Sequence, residues 1–257
     1  AAFQRFISWH NLKIYNKNAL VWGQVKGDQN KKTIIKKIKK VVFKTTYHIN
    51  VFKLNSDINS IYKKLIKRKP RYIRGYKSGV LQLCQLIEQL KLDGSKPGIK
   101  KAITTSEILF PEERKYIENI LNTQVIDEYG AAETGLIAVE CPYKNKHILT
   151  DQVYFFTNKK GEIIVTDLNN YFMPVINYNL GDKVKIDTQG GCPCGLSFPL
   201  LKHIEGRQGD QIIKPNGEEV SQYVIYYAAK ELDMKGMGNA IKQYKVIQND
   251  LANFVFY

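Results

Sequence analysis

The 257-residue sequence has no apolar run approaching the roughly 20 residues that cross a bilayer, and its first residues lack the compact apolar segment of a secretory signal. The expectation is a chain without membrane spans, placed in the cytoplasm. Cysteine is scarce, with four in the whole chain, so a disulfide framework is not expected and the thiols read as metal or core chemistry. No Gly-x4-Gly-Lys phosphate loop and no Gly-x-Ser-x-Gly elbow occurs, and His10, His48 and His203 have no acid and nucleophile beside them. A hydrolase is therefore disfavoured. What is present is an ordinary share of apolar residues, 44%, enough for the core of one large domain or two smaller ones.

Acidic residues are nearly missing from the first part. Residues 1–100 hold 23 Lys and Arg against 4 acids, and residues 101–257 hold 16 against 20. Runs such as Lys31 to Lys40 and Lys63 to Lys77 would attract a polyanion or a phosphate-rich ligand; the plainer reading is solvated helix faces. No nucleic-acid motif accompanies the charge, so a nucleic-acid partner is disfavoured.

Between residues 55 and 128 helix and strand signals alternate as in a doubly wound sheet. Tyr72-Ile73, Ala102-Ile103-Thr104 and Val125-Ile126 read as three strands, parallel because right-handed crossovers join them. Ser78 sits where a helix cap is expected, ahead of Val80, Leu81, Leu83, Cys84, Ile87 and Leu90 on a helical period, and Cys84 falls on the apolar face. Pro111 with Glu112 and Glu113 marks another helix start. The carboxyl ends of such strands open on one crevice, which brings Thr104, Thr105, Ser106 and Glu107 toward the loop Tyr129-Gly130-Ala131-Ala132-Glu133. An aromatic ring and a carboxylate there suit a nucleotide and its magnesium. The plainer reading packs Tyr129 on the sheet and lets Glu133 cap a following helix.

Past Leu136 the texture changes to short alternating strands: 137–140, 153–156, 162–166, 175–178 and 183–186. They point to an antiparallel, barrel-like subdomain. Within it Tyr178-Asn179-Leu180-Gly181-Asp182 reads as a glycine turn presenting an acid suited to sugar hydroxyls. Glu205 to Asp210 closes the subdomain. Asn216-Gly217 reads as a hairpin turn, Ser221 as a helix start, and Tyr244 to Tyr257 as a hairpin bending at Asn249-Asp250. Cys141-x5-His147 and Cys192-Pro-Cys194 flank the antiparallel segment, and three thiolates with one imidazole are a ligand set for structural zinc. Gly190, Gly191 and Gly195 would let the chain turn around the metal. Taken singly, each reads as a buried cysteine or a surface histidine.

In order, Lys69-Pro70 to Ser78, Thr104 to Glu107, Tyr129 to Glu133, Tyr178 to Asp182 and Gly206-Arg207 to Asp210 resemble the phenylacetate-CoA ligase and capsule-biosynthesis branch of the adenylate-forming enzymes. The resemblance covers nearly the whole chain. It implies an α/β large domain, with a parallel sheet, helices and a barrel-like subdomain, followed by the start of a small α+β domain, divided near 1–135, 136–209 and 210–257. It also implies an ATP-dependent carboxylate–CoA ligase that uses ATP, magnesium, coenzyme A and a carboxylic acid. In this pattern Tyr129, with Gly130 and Ala131, lines the adenine pocket, and Thr105, Ser106 and Glu107 stand in the nucleotide-binding set. Glu133 holds magnesium, Asp182 binds the ribose hydroxyls, Arg207 contacts ribose or phosphate, and Asp210 is the domain hinge; Glu133 and Arg207 are the catalytic pair. Where the family often has Arg-Tyr-x-Thr-Gly-Asp, this sequence has Asn177-Tyr178-Asn179-Leu180-Gly181-Asp182. The Ser/Thr/Gly-rich triphosphate loop expected before Phe3 and the catalytic lysine expected after Tyr257 are not in the sequence, which reads as an incomplete version of a longer enzyme. A non-catalytic nucleotide- or polyanion-binding module of the same fold is the other reading, and a homodimer is left open.

Overall fold

The computed structural model describes residues 2–23, 45–189, 191–207, 212–217, 219–220 and 246–256. The Lys31 to Lys40 run, Gly190, Asp210 and Ser221 lie outside the described residues. The chain divides into two compact units, one comprising Ala1–Phe155, Val165–Tyr178 and Lys185–Lys202, the other Phe156–Ile164, Asn179–Val184 and His203–Tyr257.

The first unit is built on the parallel strands β1 (Asn18–Trp22), β2 (Thr46–Asn50), β3 (Tyr72–Tyr76), β4 (Lys101–Thr105) and β5 (Gln124–Ala131), in the spatial order β2-β1-β3-β4-β5. The apolar doublets of its strands have a direct cause: successive strand residues point to opposite faces, and both faces are covered. Ile73, Ala102 and Val125 join one core and Tyr72, Ile103 and Ile126 the other. The second core is closed by Phe6 and Ile7 of α1 (Ala2–Trp9).

Three helices supply the first core. In α2 (Leu54–Arg68), Leu54, Ile58, Ile61 and Leu65 recur at helical spacing and are buried, while Lys63, Lys64 and Lys67 are exposed. That part of the basic run is a solvated helix face. In α3 (Lys77–Gln89), Val80, Leu83, Cys84 and Ile87 make the buried stripe. In α4 (Pro111–Leu121) the proline opens the first turn, and the Glu113 side chain accepts the Phe110 backbone N–H at 3.2 Å. Fully burying each large aliphatic side chain contributes about 2 kcal/mol, which is what holds the helices to the sheet.

After β5 the chain reverses into β6 (Gly135–Glu140) and β7 (Lys146–Ile148), both antiparallel. Four later strands, β8 (Val153–Thr157), β9 (Glu162–Asp167), β10 (Tyr178–Asp187) and β11 (Leu200–Arg207), each contribute residues to both units. Within the first unit Leu200 of β11 pairs with His147 of β7.

In the second unit the Glu162 carboxylate accepts the side-chain amides of Asn158 at 2.6 Å and Asn179 at 2.8 Å. Two small hairpins follow, β12 (Ile212–Ile213) with β13 (Glu219–Val220) and β14 (Val246–Gln248) with β15 (Phe254–Phe256). The Gln248 amide brackets Ile213, accepting its N–H at 3.0 Å and donating to its carbonyl at 2.7 Å. The turn at Asn216-Gly217 and the bend after Gln248 are where the sequence puts them.

Three expectations need correction, and two strands were not anticipated. Tyr76, not Ser78, occupies the cap position of α3, and the Ser78 N–H is taken by the Glu107 carboxylate. The run Tyr129 to Ala131 is strand, so only residues 132–134 make the turn. Residues 175–177 are not strand, and Tyr178 to Asp182 lies inside β10, with Gly181 at φ 75° accommodating an irregularity in an otherwise extended segment. Residues 46–50 and 18–22, passed over as strands because Asn, His and Thr dilute their apolar pattern, form β2 and β1.

Candidate functional site

The carboxyl ends of β3, β4 and β5 lie side by side because those strands are in parallel register, with Tyr76 opposite Thr105 and Thr104 opposite Asp127. Tyr129 stands just beyond, half-buried, and Glu133 projects from the turn, exposed. Between them the strand pair slips register at Tyr129/Gly130. A Cβ on Gly130 would stand 2.3 Å from the Gly135 carbonyl oxygen, so this glycine is demanded by the closeness of two backbones. The Tyr178 hydroxyl donates to Glu133 Oε1 at 3.3 Å, the only hydrogen bond to that carboxylate among the described residues. The second oxygen can take a cation, which fits a magnesium ion held by one carboxylate together with ligand phosphates.

The neighbouring polar residues are tied to the scaffold. Thr104 donates to Asp127 Oδ1 at 2.9 Å, and Thr105 donates to Glu128. Glu107 accepts from Ser78 N at 3.1 Å and Ser78 Oγ at 2.5 Å, setting a carboxylate on the N-terminus of α3. Ser106 is exposed with φ 69°, the bend that turns the chain back for this contact. The structure thus gathers Thr104, Thr105, Glu107 and Ser78 into one strand-end framework around β3 to β5, with Tyr129 and Glu133 at its edge. Asp182 is half-buried on β10 in the second unit, and Arg207 ends β11.

Sequence reasoning missed the ionic groups beneath this edge. Arg74 of β3 donates through Nε to Glu128 Oε1 at 3.0 Å and through Nη2 to the same carboxylate, and its guanidinium lies 4.8 Å from the Phe3 ring centroid. Burial pushes the Glu128 carboxyl above the ordinary glutamate range, and Arg74 opposes that push. Arg114 bonds Glu140 at 2.6 Å, Glu140 accepts the Asp127 N–H at 2.8 Å, and Lys146 reaches Asp127 at 2.6 Å. Burial likewise raises Glu140, with Arg114 opposing. Lys77 is fully buried, its ammonium 2.7 Å from Glu113 and 3.8 Å from Glu107. Two signals were available: acids flanking the strand end at Asp127-Glu128, and a lone Arg74 inside an apolar strand. Thr134 gave none; its buried hydroxyl has no hydrogen-bond partner among the described residues.

Also in the first unit, Cys141 at the end of β6, His147 on β7, and Cys192 and Cys194 of the segment before β11 bring their ligand atoms within 4.8 Å of one another. Cys141 and Cys192 sulfurs are 3.6 Å apart, and Cys194 Sγ is 3.2 Å from His147 Nε2. Burial pushes the Cys141 thiol up to about 12. At Cys192 burial also works against the thiolate, but the Cys194 backbone N–H and the neighbouring Cys194, His147 and Cys141 side chains outweigh it and bring the thiol down to about 6.

No family model and no curated protein matches the sequence. Among solved structures, 2-hydroxyisobutyryl-CoA ligase in the postadenylation state in complex with R3-HIB-AMP superposes with a TM-score of 0.73 at 16% identity, over 99% of this chain and 56% of that one. The same ligase in an open conformation with 2-HIB-AMP and CoA gives 0.65 at 15%, over 99% and 57%. An ATP-bound RpMatB-BxBclM chimera gives 0.55 at 16%, over 98% and 50%. The chain therefore has the α/β fold of the adenylate-forming enzymes. It spans about half the length of these solved structures.

Proposed function

We propose that the chain is the nucleotide-binding part of an ATP-dependent carboxylate–CoA ligase of the phenylacetate-CoA ligase type. One observation carries the reading. Tyr129-Gly130-Ala131-Ala132-Glu133 lies where the sheet changes from parallel to antiparallel, at the carboxyl end of β5, with the Glu133 carboxylate exposed and one oxygen unengaged among the described residues. Open α/β sheets bind nucleotides at such strand ends. The superposition on ligases solved with acyl adenylates and CoA supports the same reading.

In the proposed reaction a carboxylate oxygen attacks the ATP α-phosphorus and pyrophosphate leaves; a thiol then attacks the acyl carbonyl and AMP leaves. Tyr129 lies against the base. Glu133 holds the magnesium, which neutralises phosphate charge when bound. Asp182 and Arg207 serve the ribose and phosphate, Asp210 is the hinge, and 1–135, 136–209 and 210–257 are the working segments. Thr105, Ser106 and Glu107 act mainly by fixing the strand end, since Thr105 and Glu107 are already bonded within the protein. Catalysis of this kind is chiefly positioning and charge stabilisation, so a misplaced carboxylate is costly.

The test is ATP–pyrophosphate exchange by the complete protein with magnesium and a panel of aryl and short-chain acids. Exchange with at least one acid, reduced about 100-fold or more in Glu133→Gln, is the expected result. No exchange with any acid, with nucleotide or polyanion binding retained, would replace this reading with that of a non-catalytic binding module.

A further inference from the structure

We propose that Cys141, His147, Cys192 and Cys194 form a mononuclear zinc site that fastens the 191–199 segment to the β6–β7 hairpin. The inference stands apart from the ligase reading, because none of the four residues is assigned to nucleotide or substrate.

The geometry favours a metal over a disulfide. The 3.6 Å separation of the Cys141 and Cys192 sulfurs is far beyond a bonded pair, at about 2.05 Å. It is close to the edge of a tetrahedron drawn around an ion with metal–sulfur bonds of about 2.3 Å. The 3.2 Å separation of Cys194 Sγ and His147 Nε2 fits the shorter sulfur–nitrogen edge of the same tetrahedron. Four ligand atoms within 4.8 Å enclose a single ion and leave no room for a multi-iron cluster.

The surroundings are arranged for thiolates and a neutral imidazole. His147 is fully buried and its Nδ1 lies 3.1 Å from the Phe198 carbonyl, so that nitrogen carries the proton and Nε2 presents its lone pair toward Cys194. Each sulfur accepts backbone N–H groups from just downstream: Cys141 from Tyr143 and Asn145, Cys192 from Cys194, and Cys194 from Leu196. The Asn145 side chain adds a donor to Cys192 at 3.3 Å. Lys144, at φ 61°, and Gly191 and Gly195, at φ 101° and 78°, make the tight bends that aim these amides back at the sulfurs. Such outer contacts hold the ligands of an occupied site in place. A borderline-soft ion without geometric preference suits three thiolates and an imidazole, and four protein ligands leave no open coordination position. The site is therefore structural. The Trp9 ring packs edge-on against His147, with centroids 6.2 Å apart, so the site also steadies α1.

The test begins with the 257-residue chain, expressed with added zinc and purified without chelator, and its metal content measured by inductively coupled plasma mass spectrometry. One zinc per chain is expected, and replacement by cobalt should give the intense thiolate-to-cobalt absorption and visible bands of a tetrahedral site. Cys192→Ser should lose the metal. Should that variant not fold, Asn145→Ala, which removes only an outer donor, should weaken zinc affinity about 10-fold or more. Cys84→Ala, remote in α3, should keep full occupancy. A folded protein below one-tenth zinc per chain, or zinc affinity unchanged in both Cys192→Ser and Asn145→Ala, would overturn the proposal.

Discussion

Replacing Gly130 with alanine separates two reasons for a glycine in the Tyr129 to Glu133 run. If the glycine exists to let a ligand approach the backbone, the alanine variant should bind nucleotide poorly and unfold like the parent. The structure argues otherwise. The added Cβ would stand 2.3 Å from the Gly135 carbonyl oxygen and 3.1 Å from its carbonyl carbon. Both are backbone atoms in a strand pair, so neither can rotate aside as a side chain would, and relief requires β5 and β6 to separate where their register already slips. Overpacking of this kind costs about 1–3 kcal/mol, and a backbone-on-backbone contact belongs at the upper end. For a chain of this size about 3 kcal/mol lowers the melting temperature by roughly 6–12 °C. Thermal unfolding followed by circular dichroism, against Ala132→Ser as a control at the exposed neighbouring position, reads this directly. A Gly130→Ala protein melting within about 1 °C of its parent would refute the argument.

Two further perturbations probe the buried charges. Lys77→Met strands Glu113 and Glu107 beside an apolar group, and urea unfolding should show a loss of about 3 kcal/mol, with part regained in Lys77→Met/Glu113→Gln; no loss in the single variant would mean that the ammonium does not pair as described. Glu128 holds its proton more tightly in the folded than in the unfolded chain, because burial raises its carboxyl above 4.5. Its contribution to stability is therefore full below pH 4.5 and is lost as pH rises through the higher folded value. Glu128→Gln lacks that loss, so between pH 4.5 and neutrality its urea midpoint should fall less, relative to pH 4.5, than that of the parent. Equal slopes would contradict the assigned shift.

The parallel half of the fold was legible because its strands announce themselves as apolar doublets buried on both faces, as at Ile103 beside Ala102 and Ile126 beside Val125. Strands β1 and β2 were not: β2 is the edge strand and buries only Ile49, which leaves room for Thr46, His48 and Asn50, while β1, between β2 and β3, buries only Ala19 and Val21 and so shows no apolar doublet. The clustering of three thiols and one imidazole was readable from spacing, because short Cys-x-Cys and Cys-x5-His intervals survive any fold that folds each segment on itself. The ion pairs Arg74–Glu128 and Arg114–Glu140 join residues 54 and 26 positions apart, and only strand order decides such partners. Local caps failed for a related reason: Ser78 is the right residue type, but Glu107, 29 residues away, supplies the carboxylate at that helix end.

The central claim is that the carboxyl end of β5 receives a purine nucleotide. A crystal structure of the protein grown with AMP and magnesium tests it most directly: the account predicts the base against Tyr129 and the cation within coordinating distance of Glu133. A nucleotide seated elsewhere, or none at a concentration where calorimetry registers binding, would contradict it.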